Sequence, residues 1–182
     1  MIPQTKYEAV QTIGNSEVKS ASIAMTPAMF ELLSAGIYED RLLAIIRELL
    51  CNGRDAQVEA GNGDKPMELK LPNTFEPFLC FRDYGTGLTH EQVFNIYLTY
   101  GDSTKQGSNE FVGMFGIGSK SPLSYTDSFL VTSYIDGVEY QYNIYKDSGI
   151  PKISKMFERP TSEENGLKIS VAIQQKDFNA LS

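Results

Sequence analysis

Hydrophobic residues recur at helical spacing in the first third of this chain and alternate with polar residues in much of the remainder. Residues 19–25 alternate enough to predict a strand. Thr26-Pro27, an N-cap residue followed by proline, then predicts a helix over 27–35. A longer helix is predicted over 40–59, because apolar residues return there every three or four positions.

The later part of the chain has the alternation and the turn residues of strands. Strands are predicted over 67–71, 78–82 and 168–173, with another around Met156. Residues 128–145 predict two strands joined by Asp136-Gly137, a dipeptide that favours tight hairpins. Because helices come first and a meander of strands follows, the predicted class is α+β, with one sheet covered on one face by helices.

A glycine-rich segment interrupts this order. Thr89 and Gln92 have the spacing of a capping box and predict a short helix through Tyr100. Residues 101–118 follow with five glycines and little periodicity, which predicts a long mobile loop. Tyr97 and Tyr100 flank this loop and are candidates for contact with a ligand held beneath it.

Composition narrows the class of protein. The chain has 182 residues, 41% hydrophobic and 21% charged, which fits one domain with its own core. It contains no apolar run of about 18 residues and no signal-peptide pattern, so a cytoplasmic protein is expected. The net charge of -7 argues against a broad nucleic-acid surface but leaves room for a local pocket that binds a small anion.

Two further features concern the cysteines and the end of the chain. Cys51 and Cys80 fit a reducing compartment and are expected as buried free thiols, although their spacing leaves a disulfide open. Residues 177–182 have the pattern of an N-cap and the first turn of a helix. Because a single turn is not stable alone, we expect the chain to be the N-terminal fragment of a longer protein.

Three polar side chains of the long helix share one side. Glu48, Asn52 and Asp55 are spaced i, i+4, i+7 and fall within about 60° of arc. The apolar arc that they border comprises Leu42, Ile45, Ile46, Leu49, Leu50 and Ala56. Buried without partners, such polar groups would each cost about 1–3 kcal/mol, and hydrated Mg²⁺ suits an oxygen-lined edge of this kind. The alternative is an ordinary amphipathic helix with polar residues at its margin.

Two loops containing glycine follow this helix. Asp83-Tyr84-Gly85-Thr86-Gly87 comes directly after an apolar strand, and its glycines let the backbone turn sharply and a ligand approach closely. Residues 113–121 have the pattern G-x-x-G-x-G-S-K-S, and backbone N–H groups at such a helix start bind anions, with Lys120 adding charge. The order is neither that of a Rossmann motif nor that of a Walker A loop. Taken singly, either loop is also compatible with a plain turn.

The three features in this order resemble the GHKL superfamily, which comprises gyrase, the large heat-shock chaperone, histidine kinases and MutL. Residues 47–56 resemble its N box, 83–89 its first glycine box and 113–121 its second. The resemblance covers roughly residues 22–172. It implies a Bergerat-type ATP-binding α/β sandwich, with one mixed, mainly antiparallel sheet and helices on one face. Residues 111–129 are also similar to the rIIA family of phage lysis-inhibition proteins, through the pattern G-x-G-S-K-S-P-x-S-Y-T-D-x-F.

The resemblance implies a role for each matching residue. Glu48 would be the general base that polarises the attacking water. Asn52 would supply a side-chain oxygen to Mg²⁺, and Asp55 would support the site. Asp83 would accept a hydrogen bond from the adenine amino group and so select adenine over guanine. The other implied nucleotide-binding residues are Gly87, Leu88, Gly113, Gly116, Gly118, Ser119 and Lys120, with Ser103, Thr104 and Lys105 at the start of the lid.

Two features depart from the family pattern. Family members often carry G-T-x-[IV] on a late strand, whereas Gly166 is followed here by Leu167, which removes a hydroxyl near the base. Gyrase- and MutL-type enzymes also take a phosphate-sensing lysine from a following domain. Because this chain contains no such domain, slow hydrolysis is expected of it.

The expected function is an ATP-driven conformational switch. ATP would order the lid and create a surface for a second copy or a protein partner, and hydrolysis would reset it. A histidine kinase catalytic domain is disfavoured, because Glu48 is present and no region with a phospho-acceptor histidine is visible. His90, the single histidine, is expected on the exposed first turn of the short helix. A nucleotide-sensing or interaction module without turnover remains the alternative.

Overall fold

The computed structural model of the chain describes residues 40–98 and 118–181. The strand predicted over 19–25, the helix over 27–35 and most of the glycine-rich loop lie outside these residues. In the described part the class is α+β, as predicted. Its elements in chain order are helix α1 (Arg41–Glu59), strands β1 (Glu68–Lys70) and β2 (Phe78–Arg82), helix α2 (His90–Leu98), a 3₁₀ helix (Gly118–Ser124), strands β3 (Ser128–Ile135), β4 (Val138–Asp147), β5 (Ile150–Pro160) and β6 (Gly166–Ala172), and a second 3₁₀ helix (Gln175–Leu181).

The six strands form one sheet in the order β1-β2-β6-β3-β4-β5. Every pairing among the described strands is antiparallel. The β3–β4 connection is the predicted hairpin, and Asp136 and Gly137 take φ of 51° and 77°, as a tight turn of this kind requires. Strand β6 lies between β2 and β3 and pairs antiparallel with both, so β2 and β3 run in the same direction. The loop that follows β2 therefore lies close to the end of β3.

Helix α1 begins and ends where its sequence predicts. The Asp40 side chain accepts a hydrogen bond from the Leu43 N–H at 3.0 Å and caps the first turn. The helix ends at Glu59, and Gly61 follows with φ of 76°. Leu50, predicted within the apolar arc, is 37% exposed, so the buried stripe of α1 is narrower than the sequence pattern indicated.

The core lies between the helices and one face of the sheet. Alternate strand residues supply it, because successive side chains of a strand point to opposite faces. The fully or nearly buried members are Ile45, Leu49, Leu79, Phe81, Val93, Phe129, Val131, Tyr142, Ile144, Ile169 and Val171. Phe78, Cys80 and Arg82 alternate with this set on β2 and therefore point to the other face.

Both cysteines are free thiols, which agrees with one of the two options left open by the sequence. Cys80 is half-buried, whereas Cys51 is exposed on α1, so the expectation of a buried thiol is wrong for Cys51. Across residues 40–98 and 118–181, no helix has both the length and the apolar character needed to cross a membrane.

Candidate nucleotide site

The end of β2 carries a buried carboxylate. Asp83 is only 3% exposed, and its Oδ1 accepts hydrogen bonds from the backbone N–H groups of Gly85 (2.9 Å) and Leu167 (3.2 Å). The Asp83 backbone N–H donates in turn to the Leu167 carbonyl at 2.9 Å. Burial raises the pKa of the Asp83 carboxyl, and the two backbone hydrogen bonds only partly oppose this shift. The side chain is therefore held in one orientation beside β6.

The loop after Asp83 is wedged between α1 and β3. A Cβ atom added to Gly85 would lie 2.6 Å from the Cβ of Ala56 on α1. Gly87 has φ of 73°, and a Cβ atom there would collide with the backbone carbonyl oxygen of Tyr134. Both contacts require glycine, which agrees with the predicted sharp turn. The close approach observed here is to the protein's own backbone.

A serine that the sequence analysis did not single out fastens the far end of this loop. The Leu88 N–H donates to the Ser133 Oγ at 2.8 Å, and the same hydroxyl donates to the Leu88 carbonyl at 2.7 Å. Ser133 is 0% exposed. A sequence signal did exist, because Ser133 shares the inward face of β3 with Phe129 and Val131, where strand alternation predicts an apolar residue.

Gln57 is a second unpredicted residue of the site. It is 1% exposed on the buried stripe of α1. Its Nε2 donates to the carbonyls of Asn62 (3.0 Å) and Lys65 (2.7 Å), and its Oε1 accepts from the Tyr84 N–H (3.2 Å). The amide thus ties α1 to the loop after Asp83. The sequence did contain a signal for Gln57, because this polar residue follows Leu49 and Gly53 at intervals of four on the buried side of the helix.

Arg82 supports the same loop from the opposite face of the sheet. Its guanidinium donates to the carbonyls of Asp83, Leu167 (3.5 Å) and Glu164 (2.5 Å). It also lies over the rings of Tyr84 and Tyr134, at 4.7 and 4.4 Å from their centroids. The guanidinium therefore joins the end of β2 to the β5–β6 connection.

Glu48 lies on α1 about two turns before Ala56 and contacts the end of the glycine-rich segment. It is half-buried, and a Cβ atom on Gly118 would collide with its Oε2. Asn52 and Asp55 follow on the same side of the helix, but both are exposed. Of the three side chains expected at the edge of the core, only Glu48 is therefore partly buried. Ala56 lies eight residues beyond Glu48, so the two contact points on α1 are about 12 Å apart along the helix.

Ser119 and Lys120 point towards the last turn of α2. Lys120 is 1% exposed, and its Nζ donates to the Ile96 carbonyl at 2.7 Å, a favourable position for a cation at a helix C-terminus. Burial lowers the pKa of Lys120 to about 8. The Ser119 Oγ donates to the same carbonyl at 3.5 Å. Ser121 is 0% exposed, and its Oγ is the single buried side-chain polar atom in the described segments without a hydrogen-bond partner.

Of the remaining residues that were predicted to contact a ligand, Tyr97 lies in the core and the others fall outside the described residues. Gly113, Gly116, Ser103, Thr104, Lys105 and Tyr100 lie outside the described residues. Tyr97 is 4% exposed and packs with its ring centroid 6.0 Å from that of Phe129. Burial, with a smaller contribution from the Asp83 charge, raises the pKa of Tyr97. His90 lies on the exposed first turn of α2, as predicted, and its Nδ1 is 2.9 Å from the Tyr142 hydroxyl.

Oxygen donors, not a dense ligand cluster, line the site. Residues 40–98 and 118–181 contain no group of three or more His, Cys, Asp or Glu side chains arranged to hold a metal. Hydrated Mg²⁺ takes only one or two protein oxygens and does not need such a group. A groove of about 620 Å³ is lined by Arg82, Tyr134 and Lys168 among others, but it lies on the face of the sheet opposite the described helices, away from Glu48 and Leu88.

No protein-family model matches the chain, and no curated protein gives a significant match. At one end of the site, α1 carries the half-buried carboxylate of Glu48. At the other end, the same helix contacts the loop that follows Asp83, whose carboxylate is buried and held in one orientation.

Proposed function

We propose that the chain is a Mg-ATP-binding domain with a Bergerat-type arrangement, part of a GHKL ATPase similar to the phage rIIA family. The observation that carries the proposal is the buried Asp83, whose Oδ1 is fully engaged by two backbone N–H groups at a strand end. An oriented carboxylate of this kind can recognise an amino group. Resemblance in three sequence motifs supports the remainder.

The base would lie against the loop that follows Asp83. Among the described residues, Asp83 makes both of its side-chain hydrogen bonds through Oδ1, so Oδ2 is the atom proposed to accept from the adenine amino group. Guanine presents a carbonyl acceptor at the matching position, and a carboxylate would repel it. Leu88, which packs partly against the core, would contact the purine ring. Gly87 keeps the backbone of this loop close to β3.

The phosphates would lie towards Glu48 and Gly118. Asn52 and Asp55 place exposed side-chain oxygens one and two turns along α1 from Glu48, and this donor set fits hydrated Mg²⁺. Bound there, Mg²⁺ would neutralise phosphate charge. Glu48 would hold and deprotonate the attacking water as general base. Its contact with Gly118 is consistent with a carboxylate located where the lid ends.

Closure of the lid would couple the nucleotide state to association. Gly113, Gly116 and Gly118 are the proposed phosphate-wrapping glycines, with Ser119 and Lys120 at the base of the lid. Because ATP and ADP would contact the lid differently, only ATP would favour the closed form. The closed form would present a surface for a second copy or for a protein partner, and slow hydrolysis would reset it.

A nucleotide sensor without turnover is the second candidate. The observation that favours it is Lys120, whose Nζ is engaged with the Ile96 carbonyl. A lysine held by the protein contributes less positive charge to a transferring phosphoryl group. In this version binding and lid closure are retained, but the Glu48 step is too slow to matter.

Calorimetry and a turnover assay separate these candidates. Wild type should bind ATP in the presence of Mg²⁺ and hydrolyse it slowly. Glu48→Ala should bind ATP about as tightly but lose turnover by about 100-fold or more, since general-base catalysis contributes that much. The matched control is Glu59→Ala, an exposed glutamate on the same helix, which should behave as wild type.

The outcomes assign the function. Turnover that is unchanged in Glu48→Ala would remove Glu48 from the mechanism. Binding without measurable turnover in wild type would establish the sensor in place of the ATPase. Absence of ATP binding by wild type would overturn both.

A further inference from the structure

We propose that Ser133 is a positioning residue that sets the base specificity of the nucleotide site, an inference that rests on the proposed function. Ser133 is fully buried on β3 and belongs to none of the three motifs. Its hydroxyl makes both of the hydrogen bonds that fix Leu88. Through Leu88 it sets where the end of the base-binding loop lies.

The loop is fastened at two points of the sheet that face each other. At its start, Asp83 bonds to Leu167 on β6 through the backbone and through Oδ1. At its end, Leu88 bonds to Ser133 on β3. Ser133 and Leu167 are register partners in the β3–β6 pairing. The distance between Asp83 and Leu88, which would lie on two sides of the base, is therefore set by adjacent strands.

A hydroxyl suits this position because it donates and accepts at once. The loop reaches β3 with Gly87 pressed against the Tyr134 carbonyl, and Leu88 itself belongs to none of the strands in residues 40–98 and 118–181. The Ser133 hydroxyl accepts from that N–H at 2.8 Å and donates to that C=O at 2.7 Å. Alanine offers neither function, whereas threonine retains both.

Specificity depends on the fixed spacing that results. A site built to hydrogen-bond one group rejects an analogue because its polar group is left unpaired. If Leu88 can shift, the loop can move away from a mismatched guanine, and Asp83 need not remain in contact with the guanine carbonyl. Loss of the Ser133 hydroxyl should therefore weaken ATP binding and also reduce the preference for ATP over GTP.

The test measures affinities for ATP and GTP by calorimetry with Mg²⁺ in four proteins. Ser133→Ala should lower ATP affinity about tenfold, equivalent to about 1.4 kcal/mol, and shrink the ATP-to-GTP affinity ratio by a similar factor. Ser133→Thr should retain both values near wild type. Thr132→Ala is the matched control, because Thr132 is 4% exposed on the same strand but bonds to Gln141 on the opposite face.

A second readout needs no nucleotide. Hydrogen exchange at the Leu88 amide should be faster in Ser133→Ala than in wild type, and unchanged in Thr132→Ala. A purely structural role would lower the melting temperature of both alanine variants and leave the ATP-to-GTP ratio unchanged. That result would overturn the inference about Ser133 but not the proposed function. The same holds if wild type binds ATP and Ser133→Ala binds it equally tightly. If wild type binds no ATP, the proposed function fails and the specificity role fails with it.

Discussion

The two ends of the candidate site are built differently. At the base end, Asp83 and Leu88 are tied to β6 and β3 by hydrogen bonds between 2.7 and 3.2 Å. At the phosphate end, Asn52 and Asp55 are exposed, and Glu48 is half-buried against Gly118. Gln57 and Arg82 add further ties to the base end from α1 and from the opposite face of the sheet.

This difference suggests a division of labour. Groups that must discriminate between bases gain from a fixed geometry, because a rigid donor or acceptor cannot adapt to the wrong partner. Groups that respond to the presence of a phosphate need freedom to change position, because a switch needs two arrangements of similar energy. A hydrogen-bonded end beside Asp83 and a more exposed end beside Asn52 and Asp55 would suit the proposed nucleotide-dependent change of shape.

The largest expected effect comes from disturbing the phosphate end. Gly118→Ala should lower ATP turnover by about 100-fold, because its Cβ would displace the Glu48 carboxylate and a shift of about 1 Å can cost that much. ATP binding should also weaken, because Gly118 is one of the proposed phosphate-wrapping glycines, but by a smaller factor than turnover. Gly63→Ala is the control, since its Cβ would lie 3.3 Å from Cγ2 of the exposed Val58 side chain and 3.8 Å from the Val58 Cα, far from Glu48. Equal turnover in Gly118→Ala and wild type would place Glu48 outside the chemistry.

A smaller effect should follow from loosening the base end. Gln57→Ala removes the partner of the Tyr84 N–H and of two carbonyls, which should lower the free energy of unfolding by about 1–3 kcal/mol. Chemical denaturation measures this loss, with the exposed Gln174→Ala as the control. ATP affinity should fall as well, because the loop after Asp83 loses its tie to α1. A stable variant with unchanged affinity would show that this end is not as fixed as its hydrogen bonds indicate.

The smallest effect concerns pH. Burial raises the folded-state pKa of Asp83, so the folded protein holds this proton more tightly than the unfolded chain does. The stabilisation from this group is present below the unfolded pKa and is lost as pH rises through the folded pKa. At neutral pH, Asp83→Asn should therefore be as stable as wild type or more stable, and its advantage should diminish on acidification. Thermal melting from pH 4 to 7 measures the trend, and a variant less stable than wild type at pH 7 would contradict it.

Local patterns predicted the elements of the fold well. The span 40–59 differs from the observed Arg41–Glu59 by one residue, and the Asp136-Gly137 hairpin and the Thr89–Gln92 capping box are both confirmed. These features depend on neighbours close in sequence, so their signals are local. The sheet order, with β6 between β2 and β3, has no such signal.

The supporting residues of the site could not be predicted for the same reason. Ser133 bonds to Leu88 across 45 positions, and Gln57 bonds to Tyr84 across 27. A sequence pattern shows that each polar residue lies on a buried face but not which distant backbone group it meets. Asn52 and Asp55 illustrate another limit, because a position at the edge of an apolar arc is compatible with burial or exposure, and both side chains are exposed.

The most direct test of the account is the affinity of Asp83→Asn for ATP, measured by calorimetry with Mg²⁺ beside wild type and the exposed control Asp64→Asn. Asparagine can keep the Oδ1 hydrogen bonds but replaces the proposed acceptor with a donor. The account predicts that wild type and Asp64→Asn bind ATP, and that Asp83→Asn loses at least about tenfold in affinity, or about 1.4 kcal/mol, while remaining folded. Equal affinity in all three proteins, or no binding in wild type, would contradict it.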